Sequence, residues 1–399
     1  MDKNNTQEII QKEKDFVLPT YTRLPFVLTS GKGSYVYDNE GNQYLDFGAG
    51  IAVSALGHCD DEVVNAIQQQ AHTLSHVCNL YHSEPHAHLA EKLCQHSFAD
   101  KVFFSNSGAE AVEAALKFAR KYAHTKYGEG KTRLVAFSNG FHGRTFGALS
   151  VTDREKYQAP FRPLVPDVEI IPLNDIEAAR TAIDDNTCAV IVEAVQGEGG
   201  IFPASEEFLL TLRASCTRHG ALLIMDEIQT GFGRTGKLWA HQHTSVQPDI
   251  MTLAKALGGG LPMGATLMTD AVAACIEVGD HGSTFGGGPV AAAAALVVLE
   301  RTQRQDMLDH VLEMSAYLTS EITALQLPQV VAIRSHGLMI GIELDCKAKP
   351  FYETAHHYGI LLLTAGPNVI RLLPPLTITK VEIDQFIQAF VRMISGVKP

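Results

Sequence analysis

Between residues 100 and 270 short apolar runs alternate with helical patterns, and no other feature limits the fold of this chain so strongly. The runs are KVFFS, RLVAF, VEII, CAVIVEAV, ALLIMDE, DIMTLA and GATLM. The clearest helical pattern lies between the first two, from Ala109 to about His124. Strands that alternate with helices pair in parallel and are covered on their faces, so a mostly parallel sheet flanked by helices is expected. Several runs end in Gly, Asp, Asn or Ser. Binding crevices form at such carboxyl ends.

After Gly288 the pattern changes. A long Ala/Leu-rich helix leads into strand-like VVAIRSHG, LMIGIEL, GILLLTAG and VIRLLPPL, and a last helix opens on the capping box Thr379-x-x-Glu382. Residues 16–57 also read as strand and turn, with Asp-Asn-Glu-Gly at 38–41 as a hairpin turn. The expected fold is α/β. A large domain covers 58–290, and a smaller α+β domain is assembled from 1–57 and 291–399.

Bulk properties exclude several classes. The net charge of −12 comes with no Lys/Arg block, which argues against nucleic acid and anionic membrane as partners. The longest apolar run, PVAAAAALVVL, is too short to span a bilayer. The N-terminal MDKNNTQEIIQKEKD has acidic residues and no apolar core, unlike a signal or transit peptide. Seven cysteines without CxxC spacing fit reduced thiols and a cytoplasmic location.

Two glycine motifs are misleading. GFGRTG, from Gly231 to Gly236, satisfies the dinucleotide fingerprint, but DEIQT separates it from its strand and no helical pattern follows. GEGKT near Gly130 lacks the first glycine of a phosphate loop. HExxH and GxSxG do not occur. The groups His82/His86/His88 and His241/His243 have no matching Cys or carboxylate spacing, so no metal site is expected.

The chemistry gathers around Lys255, in IMTLAKALGGGLPMGA. Taken singly, Lys255 could be a snorkelling surface lysine, Asp226 a turn cap and Ser107-x-x-Glu110 a capping box. Placed together at the ends of parallel strands, they match the needs of pyridoxal 5′-phosphate. That cofactor requires a lysine amine for its Schiff base and an acid beside its pyridine nitrogen. It also needs a phosphate cradle, which a Ser-Gly turn at a helix N-terminus supplies through free N–H groups and the helix dipole. Gly258 to Gly260 then read as room for the cofactor and a moving lysine.

In these residues the chain resembles the class III, fold-type I pyridoxal-phosphate aminotransferases. The matching blocks are FFSNSGAEAVEAALKFAR, FHGRT, EAVQGEGG, LLIMDEIQTGFGRTG, PDIMTLAKALGGGLPMGA, HGSTFGGGP and NVIRLLPPL, in order from about Tyr21 to Pro375. The resemblance implies that Lys255 carries the cofactor and shuttles the proton, while Asp226 pairs with the pyridinium. It implies that Gln229 bonds the phenolic oxygen, Phe141 stacks on the ring, and Ser107, Gly108 and Ala109 hold the phosphate. His142 and Glu193 join the cofactor-binding set. Thr284 would reach the phosphate of a neighbouring subunit, which implies a homodimer with shared active sites.

The same resemblance addresses the substrates. Arg144 and Arg371 are candidate carboxylate clamps, because guanidinium grips carboxylate bidentately, and Glu198 is the candidate partner of Arg371. With an ω-amine donor, Glu198 would neutralise Arg371. With 2-oxoglutarate, Glu198 would move aside so that both arginines bind carboxylates. Tyr21 matches a tyrosine near the substrate carboxylate. Ile51 stands where ornithine-specific members have a tyrosine for the free α-amine, which suits an acylated donor. N-acetylornithine leads, with succinylornithine, ornithine and 4-aminobutyrate as alternatives. An aminomutase or decarboxylase on the same scaffold, and a nicotinamide dehydrogenase resting on GFGRTG, are weaker readings. Three positions depart from the family pattern: Ala194 replaces Pro, Gly288 replaces Asn, and Ala109 replaces a Thr whose lost phosphate bond is worth ~1 kcal/mol.

Overall fold

The computed structural model describes residues 6–396. Residues 1–5 of the N-terminal stretch lie outside the described ones, and Thr6–Phe16 forms a helix. The middle of the chain builds a seven-stranded sheet. Its order is Lys101–Ser105, Gly264–Met268, Ile250–Leu253, Leu222–Asp226, Thr187–Glu193, Arg133–Phe137 and Val168–Ile171. All but one strand run the same way; Gly264–Met268 is antiparallel to both neighbours. The inner strands Leu222–Asp226 and Thr187–Glu193 are buried at every residue. Both faces of the sheet are covered, so neither strand needs a polar alternate.

One face packs against the helix Gly108–Tyr127, the other against Ile176–Ala182 and Glu206–His219. These helices stop and start where the sequence says they should. Ser205 Oγ accepts from the Phe208 N–H at the start of Glu206–His219, and Gly220 ends it in the left-handed region. Ser107 caps Gly108–Tyr127 by accepting from the Glu110 N–H at 3.2 Å. The reciprocal half of that expected capping box is shifted: Glu110 accepts from the Asn106 N–H, one residue early.

The two chain ends meet in a smaller α+β region. The hairpin Tyr35–Asp38/Gln43–Asp46 turns at Asp38, whose Oδ1 accepts from the N–H groups of Glu40 and Asn42. Ile360–Leu361 then adds in parallel beside Gln43–Asp46. The run GILLLTAG is not one strand, because Leu363–Ala365 leaves for a second sheet and pairs with Val369–Leu372. The long helix expected after Gly288 is also two. Pro289–Thr302 ends before Arg304, whose backbone is extended (ψ 136°), and Gln305–Ala324 follows. Among the described residues no helix is long and apolar enough to cross a membrane.

GFGRTG has a different use from the one its pattern suggests. Arg234 is fully buried and donates from Nη1 to the carbonyls of Leu338 (2.9 Å) and Pro374 (2.6 Å). It ties the loop after Leu222–Asp226 to the C-terminal region. Burial pushes its guanidinium down to about 9, and among the described residues no carboxylate partners it. Arg234→Ala should lower unfolding stability by about 3 kcal/mol, since two buried carbonyls lose a charged donor. Chemical denaturation of the apoprotein measures this, and a loss within about 0.5 kcal/mol would mean that the seam holds without Arg234.

Candidate active site

Three neighbouring strands end at one crevice. Asp226 lies level with Glu193 on one side and Thr252 on the other, so the two carboxylates point to the same face of the sheet. Lys255 follows Ile250–Leu253 by two residues and opens a single 3-10 turn, Lys255–Gly258. Its φ of +47° is left-handed, a conformation that costs a non-glycine residue about 1–2 kcal/mol.

Asp226, Glu193 and Lys255 line a cavity of about 460 Å³, with Phe141, Arg144, Gln229 and the Ser107–Ala109 turn in its wall. That is ample for a small cofactor. Burial first, and the charge of Arg371 second, lower the Lys255 ammonium to about 8. Glu193 is pushed up to about 7 by burial and accepts from the N–H groups of Phe141 (3.1 Å) and Gly197 (3.3 Å).

His142 sits behind Asp226. Its Nδ1 lies 2.7 Å from Asp226 Oδ2, and both residues are buried. Burial works against the imidazolium, but the hydrogen bond and charge of Asp226 outweigh it and hold the His142 pKa above its usual value. The His142 N–H in turn donates to Thr152 Oγ1 at 2.8 Å. The Asp226–His142 pair presents a carboxylate to the cavity, fixed in place by its bond to His142 and by the Ile228 N–H on Oδ1.

The other end of the cavity suits an anion. At the start of Gly108–Tyr127, the Glu110 N–H goes to Ser107 Oγ and the Ala111 N–H to the Ser107 carbonyl. Gly108 and Ala109 line the cavity, and the first turn of any helix leaves N–H donors unpaired. Ser107 Oγ accepts from the backbone, so its own hydrogen is available to a ligand. Gly264 makes this possible: a Cβ there would lie 2.3 Å from the Ser107 carbonyl oxygen. The donor set of free N–H groups, buried carboxylate and low-pKa amine fits pyridoxal 5′-phosphate at both of its ends.

The expected substrate residues divide into those near the cavity and those away from it. Arg371 is 2% exposed on Val369–Leu372 and donates from Nη1 to Glu198 Oε1 (2.7 Å), Gln229 Oε1 (3.2 Å) and the Gly197 carbonyl (3.1 Å). Its Nε is buried with no partner among the described residues. The Glu198 backbone is held from outside, since Arg154 donates to its carbonyl (3.1 Å) and Arg334 to that of Gly200 (3.0 Å). Arg144 reaches the cavity wall. Tyr21 (76% exposed), Ile51 (41% exposed) and Thr284 do not line it.

Other residues at the site carried no sequence signal. Asn106 donates from Nδ2 to Ser283 Oγ (3.1 Å) and Asn79 to the carbonyls of Ser283 and Gly286, which fastens the HGSTFGGGP loop to the anion turn. Val53, Ile228, Pro262 and Met263 complete the wall. Of the three glycines after Lys255, only Gly260 reaches the cavity. Gly259 is a packing residue instead, left-handed at φ +58°, and a Cβ there would crowd Val63 Cγ1 at 3.0 Å and Val298 Cγ2 at 3.2 Å.

Comparison with known proteins agrees with this geometry. The model of the class-III aminotransferases matches residues 17–394. An acetylornithine aminotransferase of Caldanaerobacter subterraneus subsp. tengcongensis is 46% identical over 98% of this chain and 100% of its own. An ornithine aminotransferase structure from Toxoplasma gondii, described with partial PLP occupancy at its active site, superposes with a TM-score of 0.94. It is 31% identical and covers 99% of this chain and 95% of that one. The N-acetylornithine aminotransferase structure of Stenotrophomonas maltophilia gives a TM-score of 0.85 at 35% identity, covering 97% and 98%. The match of motif order, sheet and cavity leaves one family: this chain belongs to the class-III aminotransferases and works with pyridoxal 5′-phosphate.

Proposed function

We propose that the chain moves the terminal amino group of N-acetylornithine to 2-oxoglutarate in two half-reactions, as a homodimer. The observation that carries this reading is the pair of guanidiniums around one low-pKa amine: Arg144, without a carboxylate partner among the described residues, and Arg371, closed by Glu198. The relative from Caldanaerobacter, at 46% identity, bears the name of that activity. The likeness to an ornithine aminotransferase at TM-score 0.94 favours a second donor, ornithine. Against it, the side chain of Ile51, which stands outside the cavity wall, carries no polar atom for a free α-ammonium.

Bound pyridoxal 5′-phosphate supplies an aldehyde that takes up the amino group and a ring that draws electrons from the substrate carbon. Ser107, Gly108 and Ala109 would hold its phosphate, and Phe141 would lie against its ring. Asp226 would keep the pyridine nitrogen protonated, with His142 holding the carboxylate in place. The Gln229 amide, its oxygen taken by Arg371, would turn its NH2 to the phenolic oxygen. Lys255 Nζ, uncharged above about pH 8, would take the proton from the substrate carbon and return it.

Glu198 and Arg371 would select between substrates. A donor with one carboxylate binds it on Arg144 and leaves the Arg371–Glu198 pair closed. A dicarboxylate acceptor needs Arg371 as well, so Glu198 rotates away. Because Arg154 and Arg334 hold the loop carbonyls, the change is confined to the Glu198 side chain. The dimer reading rests on Thr284, which lies exposed beside Leu80 (87% exposed) and Phe285 (65% exposed). A second copy would cover these apolar groups and bring Thr284 to its phosphate.

Three outcomes test this. Borohydride treatment of the holoprotein should leave a pyridoxyl group on the peptide containing Lys255; an adduct on any other lysine would overturn the assignment. Covalent capture of the cofactor by apoprotein should quicken with pH and level off above about 8, where the Lys255 amine is already neutral. A rate still climbing toward pH 10 would indicate an ordinary lysine. Glu198→Ala should raise glutamate over N-acetylornithine as donor by about tenfold in kcat/KM, equivalent to 1.4 kcal/mol. An unchanged donor ratio would discard the switch.

A further inference from the structure

Arg144 differs from Arg371 in how it is held. Arg144 is exposed and lines the cavity, and among the described residues no carboxylate or carbonyl fixes its guanidinium. An arginine so placed would sample many rotamers, and ordering it on binding would weaken its grip on a substrate. One contact constrains it. The guanidinium carbon lies 3.3 Å from the centroid of the Tyr157 ring, and 5.9 Å from that of Phe141.

We propose that Tyr157 is a positioning residue that holds Arg144 ready for a substrate carboxylate. Stacking uses the face of the guanidinium and leaves its N–H edge free in the plane, the edge that a carboxylate grips bidentately. A carboxylate in place of the ring would occupy that edge and close the site, as Glu198 does at Arg371. The platform is itself fixed. Tyr157 lies on the single turn Glu155–Gln158, and Gln158 donates from Nε2 to the carbonyls of Leu149 (3.1 Å) and Thr152 (2.9 Å). Those carbonyls belong to the segment that follows Arg144, whose helix Phe146–Ser150 starts on the Glu113 carboxylate. Ring and guanidinium therefore share one anchored loop.

The inference rests on the proposed role of Arg144 in carboxylate binding. Tyr157→Leu should raise the KM of both N-acetylornithine and 2-oxoglutarate about fivefold, near 1 kcal/mol, with kcat little changed. Tyr157→Phe keeps the ring and should stay within about twofold of the parent. In an Arg144→Gln background, Tyr157→Leu should add almost nothing, because the group it positions is gone. A primary alkylamine without a carboxylate should react with the Tyr157→Leu holoenzyme as fast as with the parent. Unchanged KM values in Tyr157→Leu would overturn the proposal, as would an equal loss with the alkylamine or a full further loss in the Arg144→Gln background. If Arg144→Gln alone leaves both KM values unaltered, the carboxylate role of Arg144 itself fails and Tyr157 has nothing to position.

Discussion

A carboxylate buried at the end of the central strand is the constraint around which the site is arranged. An unpaired buried charge is costly by several kcal/mol, and Asp226 avoids that cost through His142 at 2.7 Å and the Ile228 N–H at 3.0 Å. The neighbouring groups adjust to it. Glu193, level with Asp226 on the next strand, is held near 7 by its burial, with the Asp226 charge adding to the shift. Lys255 is held near 8, with burial and Arg371 outweighing the nearby carboxylates. The cavity thus offers one firmly placed carboxylate and an amine that can lose its proton near neutral pH.

The loop that begins at Asp226 also sets the rest of the site. It carries Gln229, whose oxygen accepts from Arg371, and then Arg234, which donates to the Pro374 carbonyl three residues beyond Arg371. One stretch of nine residues therefore holds Asp226, touches Arg371 and fastens the strand that bears Arg371. The two arginines are restrained by different physics. Arg371 is buried in a network of hydrogen bonds, while Arg144 is exposed and rests on an aromatic face.

Where local pattern and tertiary structure agree, the pattern was readable. The buried parallel strands appear as unbroken apolar runs, and the helix from Gly108 is announced by Ser107. Where they part, a non-local partner decides. GILLLTAG divides because its two halves find different sheets, a choice made by Gln43–Asp46 and Val369–Leu372 at distant positions in the chain. GFGRTG has the spacing of a nucleotide loop, yet its arginine is claimed by carbonyls more than 100 residues away. Gly259 reads as room for a moving lysine until Val63 and Val298 are found where its Cβ would stand.

By itself the sequence determined the alternating α/β order, the family motifs and the identities of the chemical groups: a lysine and an aspartate after apolar strands, a Ser-Gly turn before a long helix, two arginines and a glutamate. Local propensity and residue chemistry are enough for that. Only the tertiary structure decided the Asp226–His142 pair, closed the Arg371–Glu198 pair that the family resemblance implied, and set the Tyr157 platform under Arg144. The first two join residues 84 and 173 positions apart. Even the third, just 13 positions apart, depends on how a loop is anchored. Distances of that kind are set by packing, which no periodicity in the chain encodes.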